Sequence, residues 1–521
     1  NPLNTELYRG KIKQINSTKA EVELHNKQLD YSYFSEGSIW IMEHDIVESN
    51  IWATIQTLYD FLRAPKAKKE ILLGIREPKF DETVYEFDNN LSYDQNENIK
   101  KAINASDYYL MQGPPGAGKT STALIGIIKN LIISNKEDNK KILVLAYTNR
   151  AVDEICTKLS ENKIDFIKIG GKSTKEDYEI SVIFREKSFK DFDDILRSKD
   201  VYVSTVSSFY TKIYDLKEIA DIDTVIIDEA SQLTDYSIAG ILCNFRKFIM
   251  IGDQNQLPAV ITQDSEGCIV SDKELNRIGI RNLNISLFER LFIRCKINGW
   301  NEAIGQLRTH YRLHKDISSL IENLYENRLI TGKQEQLNKF NIYKGETENK
   351  IEKLLSLSRL IFIESAYEKI SKANYCEAVI IKRILETIKE IYGTEFNDKT
   401  AGVVTPWRAQ IALIKKQLSD ADIIEKVTID TIERFQGSER EIIINSYAIH
   451  SIHQLKNLES FNTEGIDRKL LVSISRGSEQ LILTGNRKVL EKGKYYKDII
   501  EHIKKNGLLI NPKERKSIFK I

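Results

Sequence analysis

Gln112 to Thr122 read QGPPGAGKTST, and within them Gly113 to Thr120 match the pattern GxxxxGK[ST]. Glycine-rich backbone of this kind wraps N–H groups round phosphate oxygens. The lysine, Lys119, reaches the outer phosphates, and the hydroxyl of Thr120 faces a magnesium ion. The pattern needs a strand before it and a helix after it. Both are present, as the apolar DYYLMQ precedes it and TSTALIGIIKNLI follows. The stretch predicts a nucleoside-triphosphate cradle opening an α/β domain.

From Tyr93 to Arg294 short apolar runs (YYLMQ, KILVLAYT, VYVSTV, TVIIDEA, KFIMIGD) alternate with helical patterns, the signature of a parallel sheet covered on both faces. After Trp300 the alternation resumes with LIFIES, GVVTP, VTID, EIIINSYA and LILTGN, which predicts a second α/β domain. Ahead of both, YRGKIKQI, AEVEL and SIWIM with turn-like NST and HNK predict a small β-rich, barrel-like unit. Ile51, Ile55, Leu58, Tyr59 and Leu62 then recur at helical spacing, as in a helical stem. The expected boundaries are 1–45 for the β-rich unit, 46–85 for the stem, 86–295 for the first α/β domain and 296–521 for the second.

With 521 residues the chain exceeds what one hydrophobic core organises. No apolar run is long enough to span a bilayer, so no membrane partner is expected. Net charge is +1, from 76 basic and 75 acidic residues, so any attraction for a polyanion must be local. The five cysteines are scattered without a CxxC pair, which predicts reduced thiols in an intracellular protein, cytoplasmic in a prokaryote. The first residue is Asn1 and no signal peptide follows, so a fragment or processed chain is expected.

TVIIDEAS supplies a second half for the cradle. An apolar strand ending in adjacent carboxylates can hold magnesium through Asp228 beside Thr120, while Glu229 polarises an attacking water.

Further stretches stand in order: YTNRAVDEI, VSTVSS, FIMIGDQNQLPA, SLFERL, THYRLH, VVTPWRAQ, TIDTIERFQGSEREI and LLVSISRGSEQ. Together with the P-loop and DEAS they resemble superfamily 1 helicases over nearly the whole chain. The branch resembled holds the nonsense-mediated-decay RNA helicase and the helicase part of the Okazaki-fragment nuclease-helicase. SLFERL and the stem ending KKEILLG look most like the latter, whose nuclease domain would lie upstream.

The resemblance implies two tandem RecA-like P-loop domains with ATP between them. Gln95 in LSYDQNENI would read the purine, with Tyr311 stacking on it, and Gly113, Pro114, Pro115, Gly116, Ala117, Gly118, Lys119, Thr120 and Ser121 would cradle the phosphates. Gln256 would sense the γ phosphate, Arg312 and Arg476 would reach it from the second domain, and Gln436, Gly437 and Glu439 would touch phosphate and ribose. Thr148, Asn149, Thr205, Thr405, Pro406, Thr428 and Thr431 would grip nucleic-acid phosphates through hydroxyls and amides. His310, Ala259, Ser475 and Gly477-Ser478 depart from the family pattern, yet every charged catalytic position is filled.

Two NKxD segments, at Asn135 and Asn162, fit a guanine-specificity pattern but lie too close to the P-loop, and Gln95 with Tyr311 suits adenine. His310 and His314 have a metal-ligand spacing without the glutamate of HExxH. Trp40 and Trp52 are expected in core packing rather than base stacking. The function expected is a magnesium-dependent ATPase moving 5′ to 3′ on single-stranded nucleic acid, DNA rather than RNA, and unwinding duplexes. An ATP-gated clamp without processive unwinding is the alternative, and a P-loop switch acting on protein partners a third reading.

Overall fold

The computed structural model describes residues 10–16, 18–24, 48–83, 85–135, 138–170, 189–214, 220–259, 261, 263, 266–338, 347–368, 372–418, 420–435 and 437–521. The chain divides into residues 1–56 and 57–521. In the first unit β1 (Gly10–Ile15) and β2 (Ala20–Leu24) pair antiparallel across a turn that Asn16 closes by accepting the N–H of Lys19 at 2.7 Å. The rest of the expected barrel-like unit, Trp40 included, lies outside the described residues.

α1 (Glu48–Arg63) bears out the helical spacing, but its apolar stripe does not turn inward: Leu58, Tyr59 and Leu62 are exposed, as is Trp52, which is thus not in a core. The buried side of this helix is at Thr57, whose carbonyl packs so closely on Gly240 that a Cβ there would sit 1.8 Å from it. Glycine is required at that approach.

Within residues 57–521 lie two wholly parallel sheets. The first has the order β5-β6-β4-β7-β8-β3-β9, with β3 Tyr108–Gln112, β4 Lys141–Ala146, β5 Phe166–Ile169, β6 Val201–Thr205, β7 Ile222–Asp228, β8 Lys247–Gly252 and β9 Ile304–Gln306. β9 pairs with β3, so the first sheet runs past residue 295, where the domain boundary was expected. A short parallel pair, β10 (Thr309–His310) with β11 (Ile330–Thr331), follows. The second sheet has the order β14-β13-β15-β16-β12-β17, with β12 Leu360–Glu364, β13 Ala401–Val404, β14 Thr428–Asp430, β15 Arg440–Ser446, β16 Gly477–Gly485 and β17 Leu508–Ile510.

Alternation along these strands divides each domain core in two. Tyr108, Leu110, Leu143, Leu145, Val225 and Ile227 join one layer, while Tyr109, Met111, Ile142, Val144 and Ile226 join the other. In the second sheet Leu360, Phe362, Leu481 and Leu483 face one way, and Ile361, Ile363, Ile442, Ile444 and Ile482 the other. Both faces are covered by helices, which explains why the strands read as continuous apolar runs rather than as alternating ones. Among the described residues no helix is long and apolar enough to cross a membrane, and no group of three or more His, Cys, Asp or Glu could hold a metal ion.

Candidate nucleotide site between two domains

Parallel sheets collect loops at the carboxyl ends of their strands, and here β7, β8 and β3 are neighbours. Their ends therefore bring three separate sequence segments together: Asp228-Glu229 after β7, Asp253 to Gln256 after β8 and the Gly113 loop after β3. Gly116 and Gly118 take φ of 74° and 75°, the left-handed backbone that lets the loop curl. A Cβ at Gly113 would lie 2.1 Å from Cγ of Lys119, so the lysine folds back across the loop. Lys119 to Leu124 start the following helix as a wide π turn before α-helix Ile125–Ser134 takes over.

Thr120 Oγ1 donates to Asp228 Oδ2 at 2.8 Å, and the N–H of Glu229 donates to Asp228 Oδ1 at 2.9 Å. Burial, with the charge of Glu229 beside it, pushes the Asp228 carboxyl up to about 6. Glu229 takes a left-handed φ of 52°, and its Oε2 is buried without a partner. A hydroxyl bonded to a carboxylate, and an unpartnered carboxylate oxygen on the next residue, are hard-oxygen donors of the kind magnesium takes beside phosphates. Those residues fit the ion.

Opposite them the second domain presents the amino ends of β15 and β16, not their carboxyl ends. Gly437, Glu439, Arg476 and Ser478 there, with Tyr311, Arg312 and Lys333, close a cleft of ≈ 670 Å³. Arg312 is ion-paired with Glu439, and a Cβ on Gly116 would lie 2.4 Å from Cβ of Arg312. The N–H of Tyr311 donates to the Gly116 carbonyl at 2.9 Å, so the P-loop and the arginine segment touch directly. Arg476 is buried and gives one N–H to Oε1 of Gln256 at 3.1 Å. Burial, and then the charge of Arg312, lower its pKa to about 10, which still leaves it a cation at neutral pH.

The structure brings together in this cleft every residue expected to touch nucleotide except Gly113, which is buried at the start of the loop, Gln436, which lies outside the described residues, and Asp228, which is buried one layer behind, under Thr120. Gln95 has further work: Ser92 and Gln95 form a reciprocal cap on helix Tyr93–Asn104, and Tyr311 Oη donates to Gln95 Oε1 at 3.4 Å. Glu154, Arg150 and Lys333 were not singled out by sequence. Glu154 lines the cleft, its pKa raised by burial and then by the charge of Glu229. Arg150 crosses the cleft to the Gly437 carbonyl at 3.1 Å and Ser438 Oγ at 3.2 Å. Arg150 and Glu154 lie inside YTNRAVDEI, but nothing in the motif says that they reach the cleft, because only the folded domains bring them there.

Of the residues expected to grip nucleic acid, Thr148, Asn149 and Thr205 follow or end β4 and β6, which are neighbours. Thr148 and Asn149 are exposed, while Thr205 is buried and bonded to Ser208 Oγ at 2.9 Å. Thr405, Pro406 and Thr431 follow the adjacent β13 and β14, with Thr405 buried. Thr428 stands apart, since it begins β14 instead of ending it, and its hydroxyl accepts from Arg440 at 2.7 Å.

The domains are also joined away from the cleft. Arg468 pairs with Glu289, both buried, and donates to the Gln254 carbonyl at 3.1 Å. Asn462 donates to Oδ1 of Asn255 at 2.7 Å. His310, buried and bonded to Gln336 at 3.1 Å, is pushed down to about 4 and so stays neutral, while His314 caps the next short helix. Among the described residues neither stands in a group of three or more His, Cys, Asp or Glu. None of the five cysteines, all of them among the described residues, is in a disulfide.

Known families and proteins match the sequence of both sheet domains. The AAA domain family matches residues 283–488, and a second family of that description matches 90–183 and 171–264. The chain is 25% identical to the DNA replication ATP-dependent helicase/nuclease DNA2 of Bos taurus over 556 residues, covering 97% of this chain and 48% of that protein. Identity to the Saccharomyces cerevisiae protein of the same name is 28% over 456 residues, 81% of this chain and 28% of the relative. The DNA polymerase alpha-associated DNA helicase A of Saccharomyces cerevisiae is 24% identical, over 96% of this chain and 81% of its own length. The chain thus spans about half the bovine relative and less than a third of the yeast one. With both of its parallel-sheet domains matched and its relatives helicases along nearly the whole length, the chain belongs to the superfamily 1 helicases.

Proposed function

We propose that this chain hydrolyses ATP to move 5′ to 3′ along single-stranded DNA and to unwind duplexes ahead of it. The observation that carries this reading is the division of the site: Lys119, Thr120 and Glu229 stand on one domain, Arg312 and Arg476 on the other. A site divided in this way is complete only when the domains close, so turnover becomes relative motion.

The phosphates of ATP lie in the Gly113 loop with Lys119 beside them, and Gln95 and Tyr311 flank the base. Glu229, which lines the cleft and keeps one carboxylate oxygen unpartnered, takes the proton of the attacking water. Arg312 exchanges its Glu439 partner for phosphate oxygens, and Arg476 meets the charge that grows during transfer. Magnesium, held by Thr120 and Asp228, supplies positive charge to those phosphate oxygens when bound. Thr148 and Asn149 in one domain and Pro406 and Thr431 in the other hold the strand, so that opening and closing changes their separation.

Fluorescent duplexes carrying a 5′ or a 3′ single-stranded tail test the proposal. ATP-dependent displacement from 5′-tailed DNA alone is expected, and an ATP titration with DNA against RNA oligonucleotides fixes the sugar. Displacement from 3′-tailed DNA alone contradicts the polarity. ATP-dependent binding without any displacement replaces the motor by the clamp.

A further inference from the structure

Behind the cleft a tyrosine that no motif contains touches the nucleotide-sensing loop. Tyr325 ends a short 3-10 turn, Glu322–Tyr325, and its ring packs in the second domain's core with Leu313, Ile317 and Leu470. Its hydroxyl nevertheless donates to the first domain, to Oδ2 of Asp253 at 2.7 Å. The same oxygen accepts Nε2 of Gln256 at 2.8 Å, while Oδ1 accepts the N–H of Asn255 at 3.2 Å and Nε2 of Gln112 at 3.4 Å. Gln112 leads directly into Gly113 of the P-loop.

An ionised carboxylate only accepts, so Asp253 can face only the amino side of the Gln256 amide. The carbonyl side is thereby left for Arg476, which donates to it at 3.1 Å. Which way the amide points, and hence whether Arg476 has a partner, depends on Asp253 keeping its place. Asp253 is 0% exposed, so its charge is compensated only inside the protein, by the nearby Lys119 cation and by these hydrogen bonds. The turn before Tyr325 is held to the same loop, as Asn255 donates to the Leu324 carbonyl at 2.9 Å.

We propose that Tyr325 is a positioning residue for hydrolysis: its hydroxyl, carried on the second domain, fixes Asp253 and through it the Gln256 amide that receives Arg476. The inference rests on the ATPase reading of the cleft and adds a residue to it. Because Tyr325 belongs to one domain and Asp253 to the other, the bond forms only when the domains meet. It therefore ties the orientation of Gln256 to closure, and Tyr325 itself touches no substrate.

Tyr325→Phe removes one oxygen and keeps the ring, so packing is preserved. In the full chain, with single-stranded DNA saturating, kcat for ATP is expected to fall about tenfold. KM for ATP is expected to stay within about twofold, since the hydroxyl touches no nucleotide, and the melting temperature to fall only by what one buried hydrogen bond contributes, with the kcat loss persisting well below it. Asp253→Asn is the second variant, and the two substitutions together are expected to cost no more than the worse of them alone. An active parent chain with Tyr325→Phe at full kcat overturns the inference alone, as do costs that simply multiply in the double variant. A rate loss fully accounted for by unfolding also overturns it. A parent chain that hydrolyses no ATP, with or without DNA, overturns the ATPase reading and the inference together.

Discussion

A single methyl group at Gly116 should separate nucleotide binding from hydrolysis. In Gly116→Ala the new Cβ would fall 2.4 Å from Cβ of Arg312 and 3.2 Å from its backbone nitrogen. Ordinary contact is regained only if the arginine segment moves back by about 1 Å, and a displacement of that size at a reacting centre can cost ~10²-fold in rate. The positive φ of 74° adds its own cost, since left-handed backbone disfavours any residue with a Cβ by ~1–2 kcal/mol. Gly299 isolates that second effect. It caps helix Leu287–Asn298 with the same φ of 74°, and a Cβ there meets nothing within 4 Å. Both alanine variants should therefore lose similar stability in thermal melts, while only Gly116→Ala should lose ATP turnover at saturating single-stranded DNA, about a hundredfold. Gly116→Ala with full turnover would refute the direct packing of Arg312 on the P-loop, and so would an equal loss of rate in Gly299→Ala.

Arg476→Ala should leave binding of a fluorescent ATP analogue nearly intact while slowing single-turnover hydrolysis by ~10³-fold or more, as for other arginines delivered from a facing domain. Glu289→Ala strands Arg468 as a buried, unpaired cation between the domains, and urea denaturation should show a loss of ~3–5 kcal/mol. Glu377, fully buried among Ser365, Ser446 and the Ala448 N–H, has its carboxyl pushed up by burial from 4.5 to about 7. The folded chain therefore binds that proton more tightly than the unfolded chain does. The contribution is complete below about pH 4.5 and lost as pH rises through about 7. Between those limits the stability difference between the natural chain and Glu377→Gln should change by ~3 kcal/mol in favour of the variant, measured by denaturation at a series of pH values.

The chemistry-bearing segments were legible because each reports itself locally. Glycines followed by Lys119-Thr120 and an apolar strand ending in Asp228-Glu229 state both their element and their role, and the arrangement β7-β8-β3 then sets them side by side. Arg312 and Arg476 were legible through resemblance alone, since a lone arginine carries no sign that it crosses a cleft. Tyr325, Glu154 and Arg150 were not legible. Their importance lies in partners 72 residues or more away in sequence, or on the facing domain, and local pattern says nothing of such pairings. Ser92 and Gln95 held a signal that went unused: S-x-x-Q ahead of an apolar periodic run is a reciprocal cap, and this side of Gln95 is structural. The stripe of Leu58, Tyr59 and Leu62 was legible as a helix and no further. Helical spacing fixes which residues share a face, not what that face meets, and here it meets solvent.

The division of one nucleotide site between two domains that grip a strand is the central claim. Its most direct test is the rate of ATP hydrolysis by the purified chain as single-stranded DNA is added, with Lys119→Ala in parallel. Turnover that rises steeply with DNA and vanishes in the variant is the predicted result. Turnover indifferent to DNA, or surviving without Lys119, would contradict it.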